Sequence, residues 1–465
     1  MKLLLAPMAT VSHEAFRRAV ARFGGCDEYY NEMINAPSLL AGGQWEKYYL
    51  LAETEPEKLV WQLTGNKAEP MAEAAALLAE RDGIGIDLNM GCSAPQIANT
   101  GAGVAWMTKP LTETAALVRL VKAALANAAK DGRTEKRLSV KLRLGADDFT
   151  DAGFFAFTDM LVAEGVQQLT LHPRTKKEKY RAKPRWEYVE RLALRYEGRV
   201  PVVLNGDVTD RASFAAAVRA APHAAGVMIA RAAAQKPWIF AEIAKAICAD
   251  ECGAAKLVRG AAVQESAGSG SGQMLTQQQT AADGETPAAN VHASIAHGAA
   301  VQESAGGGSG QMLTQRQTAA DSATPAANAA ASTAHTASIA GNGAIQPTVA
   351  TATPCASFDK PSAREQSPAT AAVAPAAPLV IDCQQLALDF IGDVARFQPP
   401  EFYKTRLQRF FAYYCDNFSF AHYFKTQMLN AAAHAATPAD AIDACKAAVC
   451  AYFAQCPEDC LRQLL

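Results

Sequence analysis

Asn89-Met-Gly-Cys92 follows directly on an apolar run over 84–88 that reads as a short strand. The thiol of Cys92 therefore stands just past a strand end, between Gly91 and Pro95, on a tight loop rather than inside a packed layer. Loops held on a rigid scaffold are where chemistry concentrates. A thiol there can give or take a proton, and the Asn89 amide can hold a polar ring beside it. The competing reading is a small buried hydrophobe, the commoner fate of a free cysteine. Residues 89–92 by themselves leave both open.

Polar groups end the other apolar runs as well. Ala6-Pro7-Met8-Ala9 closes the first and Gln62 the third; Lys141 and Arg143 belong to the fifth, His172 and Arg174 to the sixth. Asn205-Gly206-Asp207 closes the seventh and Ala230-Arg231 the eighth. Singly, each has an ordinary explanation: a satisfied core histidine, a rim lysine, a turn at Asn205-Gly206. Their recurrence on strand after strand is hard to explain as packing. Gly206 lets backbone approach a ligand closely, and Ala230-Arg231 offers N–H groups and a guanidinium, which together suit a phosphate. Lys141 and Gln62 could then serve a polar ring system, and the combination suits flavin mononucleotide (FMN). A basic run extends from Arg174 through Lys176, Lys177, Lys179, Arg181 and Lys183 to Arg185, seven cations against the single acid Glu178. Such runs are usually solvated faces. Beside a binding mouth, this one could instead grip the phosphates of RNA.

Placing these groups together requires a scaffold of strands that share one end. Apolar runs at 3–6, 28–33, 58–63, 84–88, 138–142, 168–171, 201–204 and 226–230 read as eight strands. Helical patterns at 71–81, 113–130, 152–164, 186–196 and 211–220 lie between them, with Thr112 and Thr209-Asp210 as expected N-caps. Runs rich in Val, Ile and Leu suit parallel strands covered on both faces. The expected fold is α/β, a TIM (β/α)8 barrel over 1–250 whose active site forms at the C-terminal ends of the strands. A doubly wound sheet is the alternative.

Composition shifts sharply over 255–378, where Ala, Gly, Ser, Thr, Gln and Pro dominate. Two copies of a 38-residue repeat begin near Val263 and Val301, too few for a solenoid and without an apolar face, so this segment reads as a disordered linker. Order is expected again over 379–465, as a small bundle of four helices at 380–396, 401–417, 420–433 and 438–455. The chain has 465 residues, 50% hydrophobic, with a net charge of -2, so it can bury a large core but carries no global charge suited to nucleic acid or membrane. No run approaches a membrane span, and the first seven residues are too short for a signal peptide. The 11 cysteines are read as mostly reduced, in a cytoplasmic monomer. Cys445, Cys450, Cys456 and Cys460 make no C-x-x-C pair, and no metal is expected.

Taken in order, Leu5-Ala-Pro-Met8, Gln62-Leu-Thr-Gly65, Asp87-Leu-Asn-Met-Gly-Cys92, Val140-Lys-Leu-Arg143, His172-Pro-Arg-Thr175, Asn205-Gly-Asp207 and Gly226-Val-Met-Ile-Ala-Arg231 with Pro237-Trp-Ile-Phe240 resemble the tRNA-dihydrouridine synthases. The C-terminal helices resemble that family's tRNA-positioning domain. The 176–181 loop and the 403–414 helix resemble the subfamily acting on U16 of the D-loop. The resemblance implies FMN held by the backbone of Pro7, Met8 and Ala9 and by Gln62, Lys141, His172, Asn205, Gly206, Asp207, Ala230 and Arg231. It implies NADPH as electron donor, and tRNA as substrate gripped by Lys176, Lys177, Lys179 and Arg181 beside Arg143. Reduced flavin would pass a hydride to C6 of a flipped-out uridine, Cys92 would protonate C5, and Asn89 and Arg174 would hold the uracil. A free thiol titrates near ~8.5 and is largely protonated at neutral pH, which suits that role. The chain departs from the family pattern at Ser93, where proline is usual, and at Ala230 and Ala232, where glycines are usual. The rival readings are a flavin barrel acting on a small molecule and a non-catalytic RNA-binding protein.

Overall fold

A computed structural model describes residues 1–130, 134–146, 149–178, 181–247 and 379–464. The strands are β1 (Lys2–Leu5), β2 (Glu28–Tyr30), β3 (Ile34–Asn35), β4 (Leu59–Thr64), β5 (Gly85–Met90), β6 (Arg137–Gly145), β7 (Gln168–Thr175), β8 (Val202–Asn205) and β9 (Gly226–Ile229). They pair in the order β2-β1-β9-β8-β7-β6-β5-β4, and β2 pairs again with β4, so eight strands close into a ring. All of these pairings are parallel, and helices fill the connections, which is the TIM barrel that the alternation implied. The two-residue β3 is an accessory beside β4 that the sequence did not signal; the expected strand at 28–33 breaks after Tyr30.

The period of two along each strand decides what the ring contains. Trp61, Leu63, Ile86, Leu88, Leu138 and Val140 pack outward into the main core under the helices. The intervening residues Gln62, Asp87, Asn89, Ser139 and Lys141 share the inner face, in register across β4, β5 and β6. At the N-terminal end the interior is closed by charge: Arg137 donates to both oxygens of Glu28 at 2.9 and 2.6 Å, and Lys2 adds a third bond at 2.8 Å. Above them Leu4, Tyr30, Val60, Val203 and Met228 form a small apolar plug. The barrel mouth is therefore the end left open to a ligand. A cavity of about 710 Å³ between Lys122, Gly165, Tyr196 and Arg199 lies at the opposite end and shares no residue with the mouth.

Some helix starts are closed by a side-chain cap, and others, such as that of Ala68–Ala79, are not. Asp210 caps the helix Arg211–Ala220 in a reciprocal box with Ser213, and Thr437 does the same with Asp440 for Pro438–Gln455. Thr112 is not a cap: that helix starts at Leu111 after Pro110, whose fixed φ already sets the chain direction.

The C-terminal region departs from four helices alone. Val380 and Ile381, expected to be helical, lie in strand β10 (Leu379–Asp382), antiparallel to β11 (Leu461–Leu464). The helices are Cys383–Phe397, Tyr403–Tyr414, Ala421–His434 and Pro438–Gln455. They form one compact unit with the barrel, joined at the helix Glu14–Ala21 by Phe16 against Phe410 and by ion pairs of Arg18 with Asp393 and Arg22 with Asp389. No helix among the described residues is long and apolar enough to cross a membrane, and no cluster of possible metal ligands occurs among them. The repeat-bearing 255–378 segment lies outside the described residues.

Candidate active site

β5 continues to Met90, two residues past the expected end, because Asn89 and Met90 pair with Lys141 and Leu142 of β6. Asn89 is thus a strand residue whose side chain enters the ring, and only from Gly91 does the chain leave the sheet. The loop is held on several sides. Asn89 Oδ1 accepts the N–H of Gly91 at 3.2 Å and of Cys92 at 2.9 Å. Arg143 Nε donates to Gly91 O at 2.8 Å, and Val104 N–H donates to Cys92 O at 3.0 Å. Gly103, at φ +61°, passes so close that a Cβ there would stand 2.5 Å from Cys92 O. Cys92 is half-buried, and its thiol makes no hydrogen bond among the described residues. Ser93 lies in this loop, and Pro95 opens the short helix Pro95–Ala98.

Beside Asn89 on β6, Lys141 has no hydrogen bond or ion pair to any described residue. Burial lowers its ammonium to about 8, with Arg143 adding to the fall and Asp87 and Cys92 opposing it. An unfolded lysine titrates near about 10.4. In the ligand-free protein the folded state therefore holds fewer protons than the unfolded state between those values, and stability should rise with pH across that window. The gain relative to a Lys141→Met variant is expected to be on the order of 2 kcal/mol, read by urea unfolding at pH 8 and pH 10. A difference that stays flat over this range would refute the buried-cation argument. Such a cation, with no partner among the described residues, can meet an electron-rich carbonyl.

Opposite Arg143, on β7, stands His172. Burial, then the charges of Arg143, Lys141, Arg174 and Arg231, depress it to about 2, so the imidazole is neutral. Arg174 Nη1 lies 3.2 Å from Nε2, and a guanidinium only donates, so Nε2 accepts and Nδ1 carries the hydrogen. The imidazole at the mouth thus does not titrate near neutrality. β7 runs on to Thr175, with a register shift against β6 between Arg143 and Gly145, which brings Arg174 inside the site instead of past the strand end.

This placement changes the part that Arg174 can play. It is buried, pairs through both terminal nitrogens with Asp207, and donates from Nε to Ala182 O at 2.7 Å. It braces the Asp207 and Ala182 loops, and its guanidinium is already engaged by them. Arg231 also reaches Asp207, at 3.4 Å. Asn205 donates to Met228 O at 2.8 Å, and Trp186, which sequence reasoning missed, donates to Gly206 O at 3.1 Å. Gly206 has φ +127°, and a Cβ on it would meet the His172 ring at 3.1 Å, so this backbone is a cradle only glycine fits. Ala230 has φ -114°, so its methyl brings no left-handed strain. On the first loop, the Met8 N–H is taken by Ser12 Oγ at 2.8 Å and the Met8 carbonyl by Val11 and Ser12, leaving Pro7 and exposed Ala9 to face the mouth. Gln62 is fully buried, with both ends of its amide engaged by Asp87 and Asn89.

The basic run is divided by the fold. Arg174 turns inward, and Arg185 pairs with Glu178 at 2.9 Å while stacking over Phe149. Lys177, Arg181 and Lys183 are exposed and Lys176 is half-buried at the rim, none with an ion pair to a described residue. Lys179 lies outside the described residues.

A family model described as "Dihydrouridine synthase (Dus)" matches residues 4–305. A "Probable tRNA-dihydrouridine synthase" of Rhodobacter capsulatus is 37% identical over 252 residues, covering 53% of this chain and 71% of the relative. A "tRNA-dihydrouridine synthase B" of Pseudomonas putida is 31% identical over 241 residues, 52% of this chain and 67% of the relative. All the mouth residues described above, from Pro7 to Arg231, fall within the matched span.

Proposed function

The chain belongs to the dihydrouridine synthase family, and on that premise we propose that it reduces the C5–C6 double bond of a D-loop uridine in tRNA, with FMN in the barrel mouth and NADPH as electron donor. The observation that carries this reading is the convergence of Cys92, neutral His172 and Lys141, which has no partner among the described residues, on one mouth. The donor set fits the flavin. The Gly206 cradle, the Ala230-Arg231 turn and Asn205 would take the phosphate and ribityl end. Lys141 would meet the electron-rich pyrimidine edge of the ring, His172 Nδ1–H would donate beside it, and Pro7 and Ala9 would cover one face. Gln62 would act from below, through Asn89.

A flavin held by Lys141, His172 and the Gly206 cradle would supply the hydride that C6 of the uracil receives. Cys92 gives its Sγ proton to C5 from the other side, so the ring gains one hydride and one proton and the resulting thiolate is reprotonated from solvent. The clamps on Gly91 and Cys92 keep that thiol on a fixed trajectory, which is how positioning lowers a proton-transfer barrier. The uridine must leave its stack to enter the mouth. Lys176, Lys177 and Arg181, with Lys179, would hold the phosphates beside it, and the loop likeness favours U16 as the target.

Purified protein is expected to be yellow and to convert unmodified tRNA, with NADPH, to tRNA that carries dihydrouridine by mass spectrometry. Colourless protein that FMN does not reconstitute overturns the flavin reading. Flavin-loaded protein that leaves every tRNA uridine intact favours a small-molecule substrate. Replacing Lys176, Lys177 and Arg181 with alanine should flatten the salt dependence of tRNA binding, by about 0.7–0.9 in log–log slope for each phosphate that is no longer neutralised. An unchanged slope by fluorescence anisotropy removes the loop from the RNA interface.

A further inference from the structure

Beneath the proposed proton donor lies a carboxyl group with no part in the chemistry above. Asp87 is fully buried in the ring, one inward position below Asn89 on β5. Ser139 Oγ donates to its Oδ1 and Gln62 Nε2 to its Oδ2, each at 2.7 Å. Gln62 Oε1 accepts from Asn89 Nδ2 at 2.8 Å, and Asn89 Oδ1 accepts the Gly91 and Cys92 N–H groups. We propose that Asp87 is a positioning residue for the Cys92 loop: through the amides of Gln62 and Asn89 it dictates the orientation that holds the Gly91–Cys92 backbone. The inference rests on reading Cys92 as the reacting thiol.

The relay has a fixed polarity. A carboxylate only accepts hydrogen bonds, while an amide side chain has one accepting and one donating end. Asp87 therefore turns the Gln62 nitrogen downward and its carbonyl toward Asn89. That carbonyl turns the Asn89 nitrogen toward Gln62 and leaves Asn89 Oδ1 facing the loop. At the far end, backbone N–H groups can only donate. The two ends thus demand the same direction of relay, and every amide in it is paired. A fully satisfied buried network selects one arrangement, because any reversal strands a polar group away from water. Burial pushes Asp87 up to about 6, against the hydrogen bonds from Gln62 and Ser139 and the charges of Lys141 and Arg137, so at neutral pH the accepting carboxylate prevails.

Reversing the relay tests it. In Asn89→Asp both ends accept, and the one Gln62 amide must turn its carbonyl toward a carboxylate. Alkylation of the Cys92 peptide by iodoacetamide in the flavin-loaded protein, followed by mass spectrometry, should then run at least about fivefold faster than in wild type, the equivalent of losing one net hydrogen bond. Adding Asp87→Asn supplies a donor below: the new amide donates to Gln62, Gln62 to the new carboxylate, and that carboxylate accepts again from Gly91 and Cys92. This double variant should return to within about twofold of the wild-type rate. Adding Asp87→Leu instead removes the charge repulsion without supplying a donor, and should leave the rate high. No recovery with Asp87→Asn, or equal recovery with Asp87→Leu, overturns the proposal. If Asn89→Asp alone is insoluble, soluble yellow protein from the Asp87→Asn double variant is the expected rescue, and insolubility of both overturns it. Alkylation needs neither tRNA nor NADPH. Wild-type protein that forms no dihydrouridine therefore sinks the functional reading alone, while the alkylation series decides the relay separately.

Discussion

Cys92→Ala is expected to slow uridine reduction by about 10²–10⁴-fold, the usual worth of a positioned general acid, while the protein still carries flavin and binds tRNA. The separation follows from geometry. Cys92 holds its loop through its backbone, accepting from Val104 and donating to Asn89, and its thiol anchors nothing among the described residues. Removing the sulfur therefore leaves the Lys141, His172 and Gly206 side of the mouth as it was. Cys92→Ser should recover little, because an alcohol is a far weaker acid than a thiol. Single-turnover measurement on flavin-reduced enzyme isolates the step from reduction by NADPH. A Cys92→Ala rate within a few-fold of wild type would falsify the proton-donor assignment.

The second large effect lies at the seam between barrel and helices. Arg406→Ala is expected to destabilise the protein by about 3–5 kcal/mol in urea unfolding, because it leaves Glu32 buried without its partner. Arg406 donates to both oxygens of Glu32, at 2.9 and 2.8 Å, with the two side chains only 2% and 4% exposed, and from Nε to Gln398 at 2.9 Å. Glu32 also accepts the N–H of Thr10 at 2.7 Å, where the loop after β1 adopts φ +65°. The same change should therefore weaken flavin binding, since that loop carries Pro7 and Ala9 into the mouth. Removing both charges in Glu32→Leu/Arg406→Leu should cost less than the two single changes added together. Additive losses, or a loss below about 1 kcal/mol for Arg406→Ala, would show that the pair is not what joins the two regions.

How much of the molecule is legible in its sequence differs from one element to the next. Seven of the eight ring strands begin and end within a few residues of where the apolar runs do, because a parallel strand buried on both faces leaves a continuous apolar signature. The mouth residues are legible for the same local reason: strand ends and the period of two place Asn89, Lys141 and His172 on the inner face whatever else the chain does. Asp87 carries that signal too, inward by alternation with Asn89, yet a lone carboxyl at mid-strand suggests no chemistry until its partners are known.

Partners are what the chain order does not contain. The Arg174 side chain reads as a cation beside a mouth; only the closed ring brings β7 and the loop after β8 together, so that Asp207 claims it. Gln62 reads as a free amide; only the register of β4 on β5 shows both its ends engaged. Val380 reads as the start of a helix; pairing with Gln463 makes it a strand, because a ladder formed across the whole bundle outweighs a weak local preference. Glu32 and Arg406 are 374 residues apart. The sequence by itself determined the scaffold and which residue types ring its mouth, since both follow from short-range periodicity. The tertiary structure alone decided which of those polar groups are already taken and which, as with Lys141, have no partner among the described residues, because hydrogen-bond pairing is settled by distances that only closure of the barrel creates.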